Sequence, residues 1–188
     1  MNQTCKFSQS TKNYLTRFYE ILDEMIIGMD SAELTDSISH NFIVQMIPHH
    51  RAAIQMSKNV LQYPICSPLQ RIAKNIITAQ TASIDNMREV LERCSLCTST
   101  SQDLCLYEHQ FGIITQTMFE EMNTACSTNN ISANFMREMI PHHMGAVRMS
   151  KNALRYDICP ELCRILQAII SSQEKGIREM NSLLQGIR

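Results

Sequence analysis

The sequence predicts an all-α protein built from two copies of one helical unit, and three observations support this fold class. Segment 41–66 returns at 134–159, an offset of 93 residues, with 16 of 26 positions identical. Apolar residues recur at three- and four-residue steps along long segments, which is the period of helices that bury one face. Only five Gly and five Pro occur in 188 residues, which favours long helices over many-turned sheets. The chain is therefore expected to be an internal duplication whose halves fold alike.

Each copy is expected to contribute three helices, of which the last two form a hairpin. The apolar spacing predicts helices over residues 11–29, 36–61 and 67–93, and again over 103–123, 130–155 and 161–186. Two hairpins with wide apolar faces can bury each other about a pseudo-twofold axis, which gives a four-helix bundle. The additional helix that precedes each hairpin would then cover the outside or the ends of this bundle.

One cooperative domain is expected over residues 1–188, because a single hairpin has little core of its own. It would consist of two repeats, at about 11–93 and 103–188, joined by a Cys-containing linker at 94–102. This linker is polar and reads CSLCTSTSQ, so no further element is expected between the copies.

Local signals mark where several helices should begin and where one should bend. Asp36 and Asn129 are the expected N-caps of the central helices, since their side chains can accept hydrogen bonds from free first-turn amides. Ser67 and Pro68 should be the N-cap and first residue of the following helix. Pro48 lies inside the central helix, where it removes an amide donor and clashes with a carbonyl one turn back. A kink or an opened turn is therefore expected beside it.

Charge and hydropathy exclude several classes of function. The formal net charge is −1, so nothing indicates nucleic acid or an anionic membrane surface as a partner. No apolar run of 18 residues occurs, so no membrane span is expected. No signal-peptide pattern follows the start, so the protein is expected to be cytoplasmic as given, or periplasmic or extracellular if an export segment has been removed. Phosphate-loop and Ser/His/Asp signatures are also missing from the sequence.

The five-residue sequence MIPHH stands in the middle of each central helix, at 46–50 and 139–143. Within a helix, Met46 lies on the same broad face as His49 and His50. Imidazole and thioether together suit soft or borderline ions, above all Cu(I) and, by analogy, Ag(I). The motif therefore predicts a soft-metal site in the bundle.

The candidate metal ligands are the Met and His residues around both motifs, with one inward-facing Met from each following helix. They are Met46, His49, His50, Met56 and Met87 in the first copy, and Met139, His142, His143, Met149 and Met180 in the second. Cu(I) is the favoured ion, and another transition metal would also suit part of this set. The spacing leaves open whether the four His meet at one site or form two.

Three functions are compatible with this pattern. The first is a binding protein, rather than an enzyme, that sequesters or buffers Cu(I) or Ag(I); its partner is the ion, and helix faces could also join copies as a homo-oligomer. The second is a metalloenzyme or oxidase of the ferritin type that uses His and acids such as Glu138, although Gln45 replaces that acid in the first copy. The third is a structural or interaction module whose buried His only form hydrogen bonds. Because no carboxylate is repeated beside the His pairs, soft-metal binding is favoured.

The eight Cys residues allow several interpretations. Cys94 and Cys97 form a CxxC pair in the linker, which fits a thiol metal site, a disulfide or coincidence. A thioredoxin-type redox role is not indicated, because no strand–helix context surrounds the pair. Cys66 and Cys159 are duplicated at the start of a helix, and Cys163 lies one turn beyond Cys159. Small buried thiols are the simplest expectation for all of them.

The pattern Phe-x₃-Met-Ile-Pro-His-His-x₂-Ala-[Ile/Val]-x-Met, followed on the next helix by Gln-x₃-Ile-x₂-Met, resembles a bacterial family called domain of unknown function 305. The resemblance covers residues 36–93 and 129–186, which is most of the chain. It implies a ferritin-like four-helix bundle and supports soft-metal binding through the Met and His of the motif, since some members are periplasmic or secreted copper-binding proteins. Ser83 and Gly176 stand where many members have Glu, so a role for that acid is not expected in this chain.

Overall fold

The computed structural model describes residues 6–187, and this range contains six α-helices and no strand. The helices are α1 (Gln9–Asp30), α2 (Ile38–Val60), α3 (Ser67–Ser95), α4 (Ser101–Asn123), α5 (Ile131–Ala153) and α6 (Pro160–Gln185). The all-α class is therefore confirmed, with three helices in each copy. Within the described residues, no helix is apolar enough over a sufficient length to cross a bilayer.

Four of the helices close a ring. Helix α2 packs against α3, and α5 packs against α6, so each copy forms the expected hairpin. The hairpins join through contacts of α2 with α5 and of α3 with α6. Helix α1 lies on α2, and α4 lies on α5, so the additional helices cover the two motif-bearing helices. Buried residues from all six helices belong to one continuous apolar cluster.

The duplication extends to the two covering helices. Ser8 caps α1 by accepting a hydrogen bond from the Thr11 amide, and Thr100 caps α4 in the same way through Asp103. Their buried faces correspond at the 93-residue offset. The corresponding pairs are Tyr14 and Tyr107, Phe18 and Phe111, Ile21 and Ile114, Met25 and Met118, and Met29 and Met122. Each copy is therefore a three-helix unit.

The expected N-caps of the central helices were wrong by one residue. Ser37 caps α2, where its Oγ accepts from the His40 amide at 3.2 Å. Asn130 caps α5, where its Oδ1 accepts from the Ala133 amide at 3.1 Å. The Asp36 carbonyl instead accepts from the Ser99 amide at 2.8 Å, which ties the connection between the copies to the start of α2.

The expected N-cap of α3 was also wrong by one residue, and α3 ends two residues beyond the approximate end expected for it. Cys66 is the N-cap of α3, so Ser67 and Pro68 both lie in its first turn, where a missing proline amide costs no hydrogen bond. Helix α3 continues to Ser95, which shortens the connection between copies to residues 96–100.

The opened turn expected at the motif proline does not form. Helix α2 continues without interruption through Pro48, and α5 through Pro141. The ring of Pro48 packs against α1 at Gly28, where an added Cβ would lie 2.9 Å from the proline Cβ. A glycine at this point lets α1 approach the motif turn closely.

Candidate metal centre

The two central histidines of the motifs meet where α2 and α5 cross. The rings of His49 and His142 stack, with centroids 3.7 Å apart and planes inclined by 28°. Both side chains are fully buried. His142 Nε2 lies 3.2 Å from the carbonyl oxygen of His49. The two repeats therefore contact each other through the same residue of each motif.

This contact fixes the tautomer of His142. A carbonyl oxygen can only accept, so the proton of the neutral ring is on Nε2, which donates to His49. The other nitrogen, Nδ1, then carries a lone pair, and it is buried without any hydrogen-bond partner. A buried lone pair without a donor is unusual in a folded protein and is available to a cation.

Met118 of α4 brings a sulfur to the other histidine. Its Sδ lies 3.3 Å from His49 Nε2, and His49 Nδ1 is also buried without a partner. The sulfur can sit there because α5 has Gly145 at the contact: an added Cβ would lie 2.2 Å from Met118 Sδ. In the first copy Ala52 occupies the position of Gly145. The thioether contact is therefore built on one side of the bundle.

Met118 was missed by the sequence prediction. Its counterpart is Met25, and both fit the apolar stripe of a covering helix, so spacing alone indicates packing for each. The signal that could have separated them is the change from Ala52 to Gly145 on the facing helix. The missing side chain at Gly145 lets Met118 lie closer to α5 than an alanine would allow.

The outer histidines of the two motifs have different surroundings. His50 Nε2 lies 3.1 Å from the Ser83 hydroxyl of α3. At the equivalent place in the second copy, His143 faces Gly176 of α6, where an added Cβ would lie 2.9 Å from Cδ2 and 3.0 Å from Nε2. The equivalent positions Ser83 and Gly176 thus approach the outer histidines, as serine in one copy and as glycine in the other.

Both outer histidines border cavities that open between α3 and α6. His143 and Gly176 line a cavity of about 370 Å³, together with Glu179 and Lys175. His50 lines a second one of about 240 Å³ with Ser83 and the two buried glutamines Gln80 and Gln173. The side-chain oxygens of both glutamines are buried without hydrogen-bond partners. The outer histidines therefore border the α3–α6 side of the bundle.

Burial keeps all four imidazoles neutral. Loss of hydration lowers the pKa of His50 to about 3 and that of His142 to about 4. It also lowers the pKa values of His49 and His143 well below their ordinary range, and the neighbouring imidazoles add to this effect. At neutral pH each ring therefore carries one lone pair, which is the form that binds metals.

The six methionines predicted as ligands are all in the core, each with at most 2% of its surface exposed. They are Met46, Met56 and Met87 in the first copy, and Met139, Met149 and Met180 in the second. Within residues 6–187, Met118 is the methionine whose sulfur lies within hydrogen-bonding distance of a histidine nitrogen. The structure thus brings the predicted His49 and His142 and the unpredicted thioether of Met118 into direct contact, with the predicted methionines packed in the surrounding core.

The acid considered for an oxidase is engaged elsewhere. Glu138 is buried, and its Oε2 accepts a hydrogen bond from the hydroxyl of Tyr14 on α1. Burial raises the pKa of this carboxyl group to about 8, so it is mostly protonated at neutral pH. Among the residues that the structure describes, no three His, Cys, Asp or Glu side chains are arranged to hold a metal ion. A site in this core therefore depends on thioether sulfur.

Comparison with solved structures supports this fold and connects it with copper-binding relatives. A DUF305 fragment from Deinococcus radiodurans is 22% identical with a TM-score of 0.58, covering 80% of this chain and 97% of that one, which shows a shared fold. CopM in an Ag-bound form obtained by soaking is 26% identical with a TM-score of 0.61, over 81% of this chain and 98% of CopM. CopM in the Cu(I)-bound form is 26% identical with a TM-score of 0.59, over 82% and 98%. No functionally curated protein matches the sequence.

The sequence itself matches a family profile across both repeats. The match is to the domain of unknown function DUF305 and extends over residues 39–184, from the start of α2 to the end of α6. This range contains both MIPHH motifs and both hairpins. The chain is therefore a member of the DUF305 family.

Proposed function

We propose that this protein binds a soft monovalent metal ion, Cu(I) or Ag(I), in its helical core and thereby sequesters or buffers it. The ion is the cargo and no substrate is converted. The observation that carries the proposal is the group formed by His49, His142 and Met118, in which two neutral imidazoles and a thioether meet in a buried site. CopM, which is similar in fold and sequence, has been crystallised with silver and copper.

The unpaired nitrogen atoms support a ligand role over a purely structural one. All four motif histidines have a buried Nδ1 without a hydrogen-bond partner. A buried polar atom left unpaired costs about 1–3 kcal/mol, and for His142, whose lone pair lies on Nδ1, this cost is removed when the lone pair coordinates a cation. A module that used these rings only for packing would gain stability from apolar side chains of the same size.

The contact between Met118 and His49 has the spacing of two ligands of one ion. For scale, an imidazole nitrogen and a sulfur bound to one tetrahedral zinc ion, at about 2.0 and 2.3 Å, lie about 3.5 Å apart. The sulfur and Nε2 are 3.3 Å apart. Thioether and imidazole are both uncharged, so the ion brings the only formal charge, and a monovalent soft ion is preferred to Zn²⁺ or Fe²⁺.

Entry of the ion is proposed to occur between α3 and α6. The cavity beside His143 is the larger of the two that touch a motif histidine, and Gly176 leaves the ring edge uncovered. On the other side the Ser83 hydroxyl covers His50. The ion would thus first meet His143 and then the inner pair.

The test is Cu(I) competition against a chromophoric chelator under reducing conditions. The variant combines His49→Leu and His142→Leu, which removes the inner imidazoles while keeping the core apolar and filled. We expect the affinity of the core site for Cu(I) to fall by at least about 100-fold, equivalent to about 2.7 kcal/mol. Circular dichroism and thermal unfolding would confirm that the helices remain.

A matched control is His109→Ala, because His109 lies exposed on α4 away from the motif. This variant should bind Cu(I) as the wild type does. Unchanged Cu(I) affinity in the folded His49/His142 variant would contradict the proposal, and so would an absence of any metal-dependent rise in the unfolding temperature of the wild type.

A further inference from the structure

Three cysteines from different parts of the sequence lie near the end of the bundle where α3 finishes and α6 begins, although within the described residues they do not converge as a group of three ligands. Cys94 and Cys97 are in and just after the last turn of α3, and Cys159 is the residue before α6. Cys159 is near enough to both Cys94 and Cys97 to raise the pKa values of their thiols. The CxxC pair of the sequence therefore has a third partner, provided by the fold.

Hydrogen bonds to one helix turn hold this group in place. The carbonyl oxygen of Cys94 accepts from the Ser37 hydroxyl at 3.0 Å, and the amide of Cys159 donates to the Ser39 hydroxyl at 2.9 Å. Both serines belong to the start of α2 and are buried. The backbones of two of the three cysteines are thus fixed relative to each other before any ligand binds.

The carboxylate of Glu161 lies beside these thiols and raises the pKa values of Cys94 and Cys97. Cys159 Sγ donates to Glu161 Oε2 at 3.1 Å, and the other oxygen of this carboxylate lies 3.4 Å from Arg93 Nε. Cys159 is also the N-cap of α6, where free amides present positive potential to a negative group. Cys94 and Cys159 are buried, whereas Cys97 is partly exposed and gives access from solvent.

The thiols of Cys94 and Cys97 hold their protons while no cation is bound. Burial is the main cause that raises the pKa values of Cys94 and Cys97, and the neighbouring Cys159 raises both further. Closely spaced thiols cannot all ionise together unless a positive charge lies among them. All seven cysteines within the described residues are free thiols.

We infer that Cys97 and Cys159, with Cys94 behind them, form a second binding site for Cu(I) or Ag(I), separate from the core imidazoles. The ion replaces two thiol protons: one M⁺ and two S–H groups give a bis-thiolate complex of charge −1 and two released protons. No oxidation state changes. Soft thiolates favour these ions, and two sulfurs suffice for their linear coordination, so three or four converging side chains are not needed.

The duplication provides an internal comparison for this site. Cys66 is the counterpart of Cys159 and likewise precedes a helix, but it is exposed. The position equivalent to Cys94 is occupied by Ile187. The position facing Cys66 in this comparison thus carries no cysteine, and the exposed Cys66 is a natural control.

The experiment uses Ag(I), which does not oxidise thiols, and the fully reduced full-length protein. Native mass spectrometry would count the ions bound in the presence of excess glutathione as a competing monothiol. A single thiol loses this competition, whereas two thiols held together retain the ion through their high effective concentration. We expect the variant Cys97→Ser with Cys159→Ser to bind about one Ag(I) per chain fewer than the wild type, and Cys66→Ser to bind the wild-type number.

Alkylation provides the second measurement. Ag(I) should slow the reaction of Cys97 with iodoacetamide in the wild type and leave that of Cys66 unchanged, as read by peptide mass spectrometry. The His49/His142 variant should keep both the thiol-bound ion and this protection, so failure of the core site and failure of the thiol site are distinguishable. An equal ion count in the double Cys variant, or equal alkylation of Cys97 with and without Ag(I), overturns the inference.

Discussion

His49 stacks on His142 at a distance of 3.7 Å between ring centroids, and the two residues occupy the same position in the two repeats, 93 residues apart. A residue that packs against its own counterpart lies at the approximate twofold axis of a duplicated fold. The inner histidines therefore belong to both copies at once. This arrangement favours a shared centre over two independent sites.

The symmetry is broken by what surrounds this pair. His142 donates to the His49 carbonyl, whereas His49 faces the sulfur of Met118. The contact exists because Gly145 replaces the alanine of the first copy. If the two copies were identical here, each would present the same ligands to the ion. Because glycine stands at position 145, the thioether of Met118 lies on one side of the histidine pair.

Substitution of Met118 by Leu tests the thioether directly. Leu has nearly the volume of Met, so the cost in stability should stay below about 1.5 kcal/mol. The loss of one soft ligand should weaken Cu(I) binding by about tenfold or more, equivalent to about 1.4 kcal/mol. Chelator competition measures the affinity, and urea unfolding without metal measures the stability.

Met25→Leu is the matched control, because Met25 occupies the same position of the repeat but lies beside Pro48 in the groove between α1 and α2. It should leave Cu(I) affinity unchanged at a similar cost in stability. Equal losses of affinity in the two variants would mean that Met118 acts through packing and not as a ligand.

Much of the fold could be predicted from the helical spacing of apolar residues and from the internal repeat. The features that could not be predicted are local ones, at helix ends and at Pro48. The 3.6-residue spacing and the offset of 93 predict six helices and their pairing, because burial of one face determines both. The N-cap at Ser37 in place of Asp36 could not be decided, since both side chains can accept from first-turn amides. The opened turn at Pro48 does not form, because α2 stays helical through this residue, and the proline ring packs against α1 at Gly28.

The candidate site divides in the same way. Met and His types at helical spacing identified the buried faces that carry His49 and His142, because both lie on segments with a clear apolar stripe. The pairing of His49 with Met118 depends on a contact between α2 and α4 across 69 residues, which no local pattern encodes. The thiol group likewise required the fold, since Cys97 and Cys159 are far apart in the sequence.

The metal-free protein should become less stable as the pH falls below about 6.5. In the unfolded chain a histidine takes up a proton near this pH, whereas burial lowers the folded pKa values, to about 3 for His50 and about 4 for His142. The unfolded state therefore binds more protons in this window, and the stability present above pH 6.5 is lost as the pH falls. Each such histidine contributes a slope of up to about 1.4 kcal/mol per pH unit.

Urea unfolding with a metal chelator between about pH 7 and 5 measures this slope. Replacement of His142 by Leu should make the dependence shallower, whereas His109→Ala, which alters an exposed ring, should leave it unchanged. A dependence that is equally steep in wild type and the His142 variant would contradict the burial of a neutral imidazole at this position.

Glu138 should produce the opposite slope at higher pH. Its carboxyl has a pKa of about 8 in the folded protein because of burial, whereas an unfolded glutamate ionises near 4.3. The folded state therefore holds a proton that the unfolded state has lost, and stability decreases as the pH rises from about 6.5, where the histidines no longer titrate, to about 8.

Glu138→Gln should flatten this part of the profile at little cost, because the amide oxygen can still accept from Tyr14. Gln45→Glu, the reciprocal exchange in the first copy, is the comparison, and a wild-type slope in the Glu138→Gln variant would contradict the assignment.

The difference between Gly176 and Ser83 should control how fast the ion enters. Gly176 leaves His143 open to the cavity between α3 and α6, and a side chain placed there would start 2.9 Å from the ring. Gly176→Ser should therefore slow Ag(I) uptake in stopped-flow measurements by several-fold, and cost about 1–3 kcal/mol of stability through overpacking.

The reciprocal variant Ser83→Gly removes the hydroxyl that meets His50 Nε2, at a cost of about 1 kcal/mol for the lost hydrogen bond. It uncovers the equivalent ring and should leave uptake as fast as in the wild type or faster. Both variants lose stability, but only Gly176→Ser closes an opening. If uptake depended on a general loosening of the bundle, it would be faster in both variants. Wild-type uptake by a folded Gly176→Ser protein would show that the ion reaches the inner histidines by another route, and would separate the path of entry from the identity of the ligands.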